Sequence, residues 1–145
     1  MVLKSISIIG FVVMVIAIAL LFRIGSLFGT NVISISVQIL AVGLMIWARV
    51  TFGGRSFHAA GNPTEGELVT SGPYQYIRHP IYASALYIIW AGVLSHVSLE
   101  AVVLGILGVV GAGMRIAVEE RFLREQYPEY AEYANRTKRV VPFVV

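Results

Sequence analysis

No cysteine occurs among the 145 residues, which removes disulfides, thiolate metal sites and cysteine nucleophiles together. Charge is almost as scarce: Asp, Glu, Lys and Arg make up 13% of the chain, against about 25% in soluble domains. With 57% hydrophobic residues, far more than one soluble core of this size needs, the chain reads as a small all-α polytopic membrane protein. It forms a single domain, residues 1–145. The net charge of +3 would suggest nucleic acid in a soluble chain. Here the Lys and Arg residues flank apolar runs, so topology accounts for them and no nucleic-acid partner is expected. Gly111-x-Gly113 lacks the third glycine and the preceding strand of a dinucleotide fingerprint. His58, His79 and His96 show no ligand spacing, so no metal site is expected, and His58 and His96 read as structural.

About four transmembrane helices are expected. Ile6 to Phe22 is apolar except for Ser7 and Gly10, close to the roughly 20 residues a bilayer requires. Lys4 before this run would also open a signal peptide, but no small-x-small cleavage site follows. Val32 to Ala48 is the second span, ended by Arg49, with Ser34, Ser36 and Gln38 facing protein or bonding back to the helix. Ile81 to Leu94 and Ala101 to Met114 are shorter; extending the latter to Val118 gives a full crossing, with Arg115 snorkelling near its end. Ser95 to Glu100 joins these two as a helical hairpin, and Ser98 followed by Glu100 is a helix start. Ala101, Gly105, Gly108 and Ala112 share a face on which a neighbouring helix can approach closely.

Basic residues set the orientation. Lys4 precedes the first span; Arg49, Arg55 and Arg78 lie in the second connection; Arg115, Arg121, Arg124, Arg136, Lys138 and Arg139 lie in the last helix and tail. The first connection has Arg23 alone and the third has no Lys or Arg. Both termini and the long second connection are therefore expected in the cytoplasm. That connection, Arg49 to Ile77, carries turns at Thr51–Arg55 and Gly61-Asn62-Pro63, and its length and polarity mark it as a functional loop.

The polar residues concentrate in Gly72-Pro73-Tyr74-Gln75-Tyr76-Ile77-Arg78-His79-Pro80-Ile81-Tyr82. After one more apolar stretch comes Glu119-Glu120, and then a tail rich in tyrosine, with Tyr127, Pro128, Tyr130 and Tyr133. Arg78 offers a bidentate fork for a carboxylate, and His79 a second donor. Pro80 suits a helix start, whose first-turn N–H groups can bind an anion. Tyr74, Tyr76 and Tyr82 supply ring surface and hydroxyls. Residue by residue, the bland alternatives are interfacial arginines, an aromatic belt and a solvated helix face. In that last case Glu120 pairs with Arg124, and Glu119 with Arg115, at helical spacing. Pro128 can open a short helix with Tyr127, Tyr130 and Tyr133 roughly on one face; its bland alternative is an amphipathic helix on the bilayer surface.

Gly-Pro-Tyr-x-Tyr-x-Arg-His-Pro-x-Tyr, then Glu-Glu, then the tyrosine-rich tail ending in a proline, resembles the isoprenylcysteine carboxyl methyltransferases and their relatives. The resemblance runs from Leu68 to Phe143; the first half matches only as two apolar spans. It implies an integral-membrane enzyme using S-adenosylmethionine, with the cofactor half at residues 68–143. Carried over by resemblance, Arg78, His79, Tyr82, Glu119 and Glu120 line the cofactor site, joined by Tyr74 and Tyr76, and a tail arginine, Arg136 or Arg139, holds the methyl acceptor. Eukaryotic members have further N-terminal spans that are not seen here. The implied acceptor has a lipid tail, enters from the bilayer among membrane lipid, and most simply presents a carboxylate. Such an acceptor is already ionised, whereas an amine would need a base. A phospholipid N-methyltransferase, a membrane reductase using a nicotinamide cofactor, and a non-enzymatic membrane protein are the competing functions. No feature fixes an oligomeric state.

Overall fold

A computed structural model describes residues 2–53 and 67–142; Arg55, His58 and the turn expected at Gly61-Asn62-Pro63 lie outside them. Described residues form five α-helices: α1 (Val2–Arg23), α2 (Val32–Phe52), α3 (Pro80–Ser95), α4 (Leu99–Gln126) and α5 (Tyr130–Arg136), with a 3-10 turn at Gly72–Gln75 before α3. The architecture is all-helical. Three helices, α1, α2 and α4, are long and apolar enough to cross a membrane, and α3 is a shorter apolar helix. Its 16 residues give about 24 Å at 1.5 Å each, under the roughly 30 Å hydrocarbon layer.

Helix ends follow local chemistry. Asn31 caps α2 through Ser34 N, at 2.9 Å, and Ser98 caps α4 through Ala101 N, at 3.1 Å, where the sequence expected a start. α2 continues one turn beyond Ala48, because Gly53 is the first residue able to end it with a positive φ, +71°. α4 is longer than expected. Its 28 residues run unbroken through Glu119 and Glu120, so both glutamates are held rigidly on the extension of a crossing helix. Tyr130 and Tyr133 of α5 are fully or nearly fully buried, so the tyrosine face turns into the protein rather than lying on a bilayer.

α1 packs antiparallel along α4, and α2 along α3; the α3–α4 hairpin contact is the lesser one. Glycine explains the first pairing. A Cβ on Gly10 would lie 2.7 Å from the Gly111 carbonyl oxygen, and one on Gly111 would lie 2.6 Å from that of Gly10. The expected small face of α4 meets α3: Gly105 faces Val93 and Trp90, and Gly108 faces Ile89. At the end formed by the 24–31 and 96–98 connections, Leu21, Leu27, Ile89, Val93, Ala101 and Leu104 make the apolar core. Gln38 bonds across to the Leu27 and Ile88 carbonyls at 2.8 and 3.0 Å, while Ser36 lies exposed. At the other end the start of α1, the end of α2, the start of α3 and the end of α4 come together.

One expectation is corrected here. Arg115 does not snorkel: it is only 5% exposed and turns inward between α1 and α3. Its Nε donates to the Tyr82 hydroxyl at 2.8 Å, and a bonded partner inside the protein replaces the headgroup a snorkelling arginine would seek.

Candidate functional site

The segment before α3 is held by the tail. Residues 76–79 pair in parallel with 138–139: Arg78 N donates to Lys138 O at 2.6 Å, Lys138 N to Tyr76 O at 3.2 Å, and His79 N to Arg139 O at 3.0 Å. With its backbone fixed this way and Pro80 opening the helix, His79 caps no N–H with its side chain. Its ring points instead toward α4. Arg78 closes α5: its Nη1 donates to Ala134 O at 2.8 Å and also to Thr137 O, carbonyls of the last turn where a cation offsets the helix dipole. Tyr133 donates its hydroxyl to Tyr74 O at 2.7 Å, tying α5 to the 3-10 turn.

These elements converge on Glu120, whose side chain is 3% exposed. Arg78 Nη2 and Nε reach Oε1 at 3.2 Å, and His79 Nε2 lies 3.4 Å from the same oxygen. Arg139 embraces both oxygens, Nε to Oε1 and Nη2 to Oε2, at 3.2 Å each. Arg124 reaches Oε2 at 3.3 Å from one turn along α4. Three guanidiniums therefore surround one carboxylate, an excess of two positive charges without His79. Hydrogen bonding to Glu120, with its negative charge, raises the Arg139 pKa above the usual arginine value. Burial, with Glu120 nearby, pushes the Tyr130 phenol up to about 12; Arg124 lies 5.7 Å over its ring.

Beside this ring of charges is a second, smaller set. The His79 and Tyr82 rings are 5.9 Å apart, and partly exposed Glu119 directly precedes Glu120 on α4.

Of the residues singled out by sequence, Arg78, His79, Glu120 and Arg139 are thus in one cluster, and Tyr82 and Glu119 adjoin it. Tyr74 is buried against Phe52, with ring centroids 5.6 Å apart, where it supports the turn; burial raises its phenol pKa. Tyr76 is 53% exposed and contributes its backbone. Arg136 stands apart, 3.7 Å from Glu132, on a groove of about 290 Å³ lined also by Thr70, Gln75, Tyr133 and Thr137. Arg124 pairs with Glu120 as the helical spacing allows, but at a buried carboxylate rather than on the solvated helix face of the bland alternative. Sequence reasoning missed Thr137, Tyr130 and the inward role of Arg115. A lone arginine one turn before Glu119 was the available signal for the last of these. Among the described residues, no group of three or more His, Asp or Glu is placed to hold a metal ion.

Comparison with known proteins matches the chain over residues 26–130 to the phospholipid methyltransferase family. This belongs to the same membrane-methyltransferase superfamily as the isoprenylcysteine enzymes, and the match does not single out that carboxyl-methylating branch. The chain is 33% identical over 109 residues to the cobalt-zinc-cadmium resistance protein CzcN of Cupriavidus metallidurans, covering 74% of this chain and 46% of that protein. It is 30% identical over 111 residues to the nickel-cobalt-cadmium resistance protein NccN of Alcaligenes xylosoxydans xylosoxydans, covering 74% and 52%. The chain thus spans about half the length of the curated relatives it matches. No solved structure matches it.

Proposed function

Because the chain belongs to the phospholipid methyltransferase family, we propose that it is an integral-membrane methyltransferase that transfers the methyl group of S-adenosylmethionine to a lipophilic acceptor. The observation that carries this reading is the Glu120 cluster, with its excess of positive charge, set beside Tyr82 and Glu119 at one end of an apolar bundle. That donor set fits the cofactor. Surplus guanidinium charge suits its carboxylate, with half-exposed Arg139 the accessible member. Glu119 suits its ammonium, and the His79 and Tyr82 rings offer flat surface. Arg78 spends its donors on Glu120 and α5, so its part is to hold Glu120 and the tail in place.

When bound, the cofactor would supply an electrophilic methyl group on cationic sulfur, the thioether being the leaving group, with Arg139, Glu119, His79 and Tyr82 as the residues that would hold it. The chain's task is alignment and exclusion of water. For a carboxylate acceptor no proton need leave. For the amine of a phospholipid headgroup, a base such as Glu or His would have to take the proton. Of the two tail arginines, Arg139 is shared between Glu120 and the cofactor carboxylate, which leaves Arg136 and its groove to hold an acceptor oxyanion, carboxylate or phosphate. Positive charge at the site end supports a cytoplasmic position for that end and for both termini.

The test is calorimetry of the purified chain in detergent with S-adenosylhomocysteine and, separately, NADPH. Binding of the first alone is expected; binding of NADPH in its place would sink the reading. Methyl transfer to vesicles carrying phosphatidylethanolamine, compared with a farnesylated thioacid, then separates amine from carboxylate acceptors.

A further inference from the structure

α3 is apolar along almost its whole length, yet it carries a second phenol, Tyr87, that neither the Glu120 cluster nor the apolar core uses. A hydroxyl on such a helix needs an acceptor, and Tyr87 donates to the backbone carbonyl of Val140 in the tail. Side chains on a helix lean toward its N-terminus. From about two turns inside α3, the Tyr87 ring therefore reaches back to the end where the tail lies. The register explains why a side chain is needed there. Arg78 N donates to Lys138 O at 2.6 Å and His79 N to Arg139 O at 3.0 Å. The next residue is Pro80, which has no N–H to extend the pairing, and Val140 O is met by the phenol instead. The carbonyls of Lys138, Arg139 and Val140 are thus each held, by donors on residues 78, 79 and 87. Arg139 is pinned through its own backbone and through both neighbours, while its half-exposed guanidinium lies across the two Glu120 oxygens at 3.2 Å.

We infer that Tyr87 is a positioning residue for Arg139: by fixing the chain just beyond that arginine, it presents the guanidinium to the cofactor carboxylate in one direction. The inference rests on the methyltransferase reading, with Arg139 as the accessible guanidinium of the site. Arginine recognises a carboxylate through a planar fork, so the contact depends on angle as well as distance. A long side chain on a loose strand would have to be ordered at the moment of binding, and that ordering subtracts from affinity. Tyr87 does the ordering beforehand, from a helix that is itself packed against α2 and α4.

The experiment is calorimetry of the full chain in detergent with two probes, S-adenosylhomocysteine and its decarboxylated analogue, which keeps the adenosine, sulfur and amine. The parent is expected to bind the analogue about tenfold more weakly, as for a lost charge-assisted contact. Tyr87→Phe keeps the ring and drops the hydroxyl. It should weaken S-adenosylhomocysteine about fivefold, as for one neutral hydrogen bond, and leave the analogue unchanged. In an Arg139→Gln background the same substitution should change neither affinity. Equal loss for both probes, loss for neither, or a loss that persists without Arg139 would overturn the inference and leave Tyr87 as a tie for the tail. Should Tyr87→Phe fail to fold, Tyr87→His, whose ring is too short to reach Val140, enters the same comparisons with the same selectivity expected. A parent that binds both probes equally also overturns the inference, since Arg139 then holds no carboxylate, while the methyltransferase reading stands. A parent that binds neither overturns that reading itself.

Discussion

At the end of the bundle away from the site, the helices are joined by neutral groups. Gln38 spans the Leu27 and Ile88 carbonyls and accepts from Gly29 N at 3.0 Å. Ser95 Oγ accepts from Thr30 N at 2.9 Å and from the Asn31 amide at 3.1 Å. His96 Nε2 lies 2.9 Å from the Phe28 carbonyl. Beneath them sits the apolar core. At the site end nearly the reverse holds: one buried carboxylate gathers three guanidiniums and an imidazole, contributed by the loop before α3, by α4 and by the tail. Both ends join segments far apart in sequence: Gln38 to Ile88, Thr30 and Asn31 to Ser95, and Phe28 to His96 at the neutral end, and Arg78 and His79 to Glu120 at the charged one. The difference teaches that buried charge is segregated from the apolar core along the bundle axis, since charge is costly to bury and is here gathered where opposite charges meet.

Glu120→Ala is the sharpest way to break this contrast. Removing the shared partner leaves Arg78 and His79 buried without it, a loss of about 3–5 kcal/mol for a broken buried pair. Thermal unfolding in detergent should show a large drop, and limited proteolysis should cut within residues 127–142 in the variant but not the parent. An undisturbed tail would mean that the parallel pairing holds without the carboxylate. At the neutral end, Gly92→Val is the matching test. A Cβ there would lie 2.1 Å from the Leu27 carbonyl oxygen, backbone that cannot yield cheaply, so about 1–3 kcal/mol of destabilisation is expected. Affinity for S-adenosylhomocysteine should be unchanged in the protein that remains folded. A change in affinity would show that the two ends are coupled.

Gln38→Leu should cost about 1–2 kcal/mol, because Gly29 N and two carbonyls lose their partner, again with no effect on ligand affinity. Arg136→Ala is expected to have the smallest stability effect: the side chain is 65% exposed and pairs loosely with Glu132, a class of contact that contributes little. Its melting curve should overlay the parent's, yet methyl transfer should fall about tenfold if its charge holds the acceptor oxyanion. Full turnover would reduce α5 to a support for the Glu120 ring.

Much of the neutral end was legible in the sequence. The apolar runs, the Ser98 cap and the small face of α4 are local or periodic signals, and such signals survive in a single chain. The site was legible as a set of names but not as an arrangement. Arg78, His79 and Glu120 stood out by residue type against an apolar background. That the fork of Arg78 meets Glu120 and the end of α5 depends on pairing residues 76–79 with 138–139, which no period encodes. Arg115 was misjudged for a related reason. A basic residue near a helix end suggests a headgroup partner, and only the packing of α1 on α4 shows that the inward direction is the one furnished with an oxygen and two rings.

The parallel pairing of the tail with the segment before α3 also imposes an order on biosynthesis. Residues 138–139 leave the ribosome after α1 to α4 have been made, so these helices form while Glu120 still lacks Arg139 and the backbone pairing that steadies Arg78. During that interval the chain is a membrane-inserted helical hull with an unfinished mouth. Closure of the mouth is a separate and later folding event, carried out by chain that is made after the helices it closes.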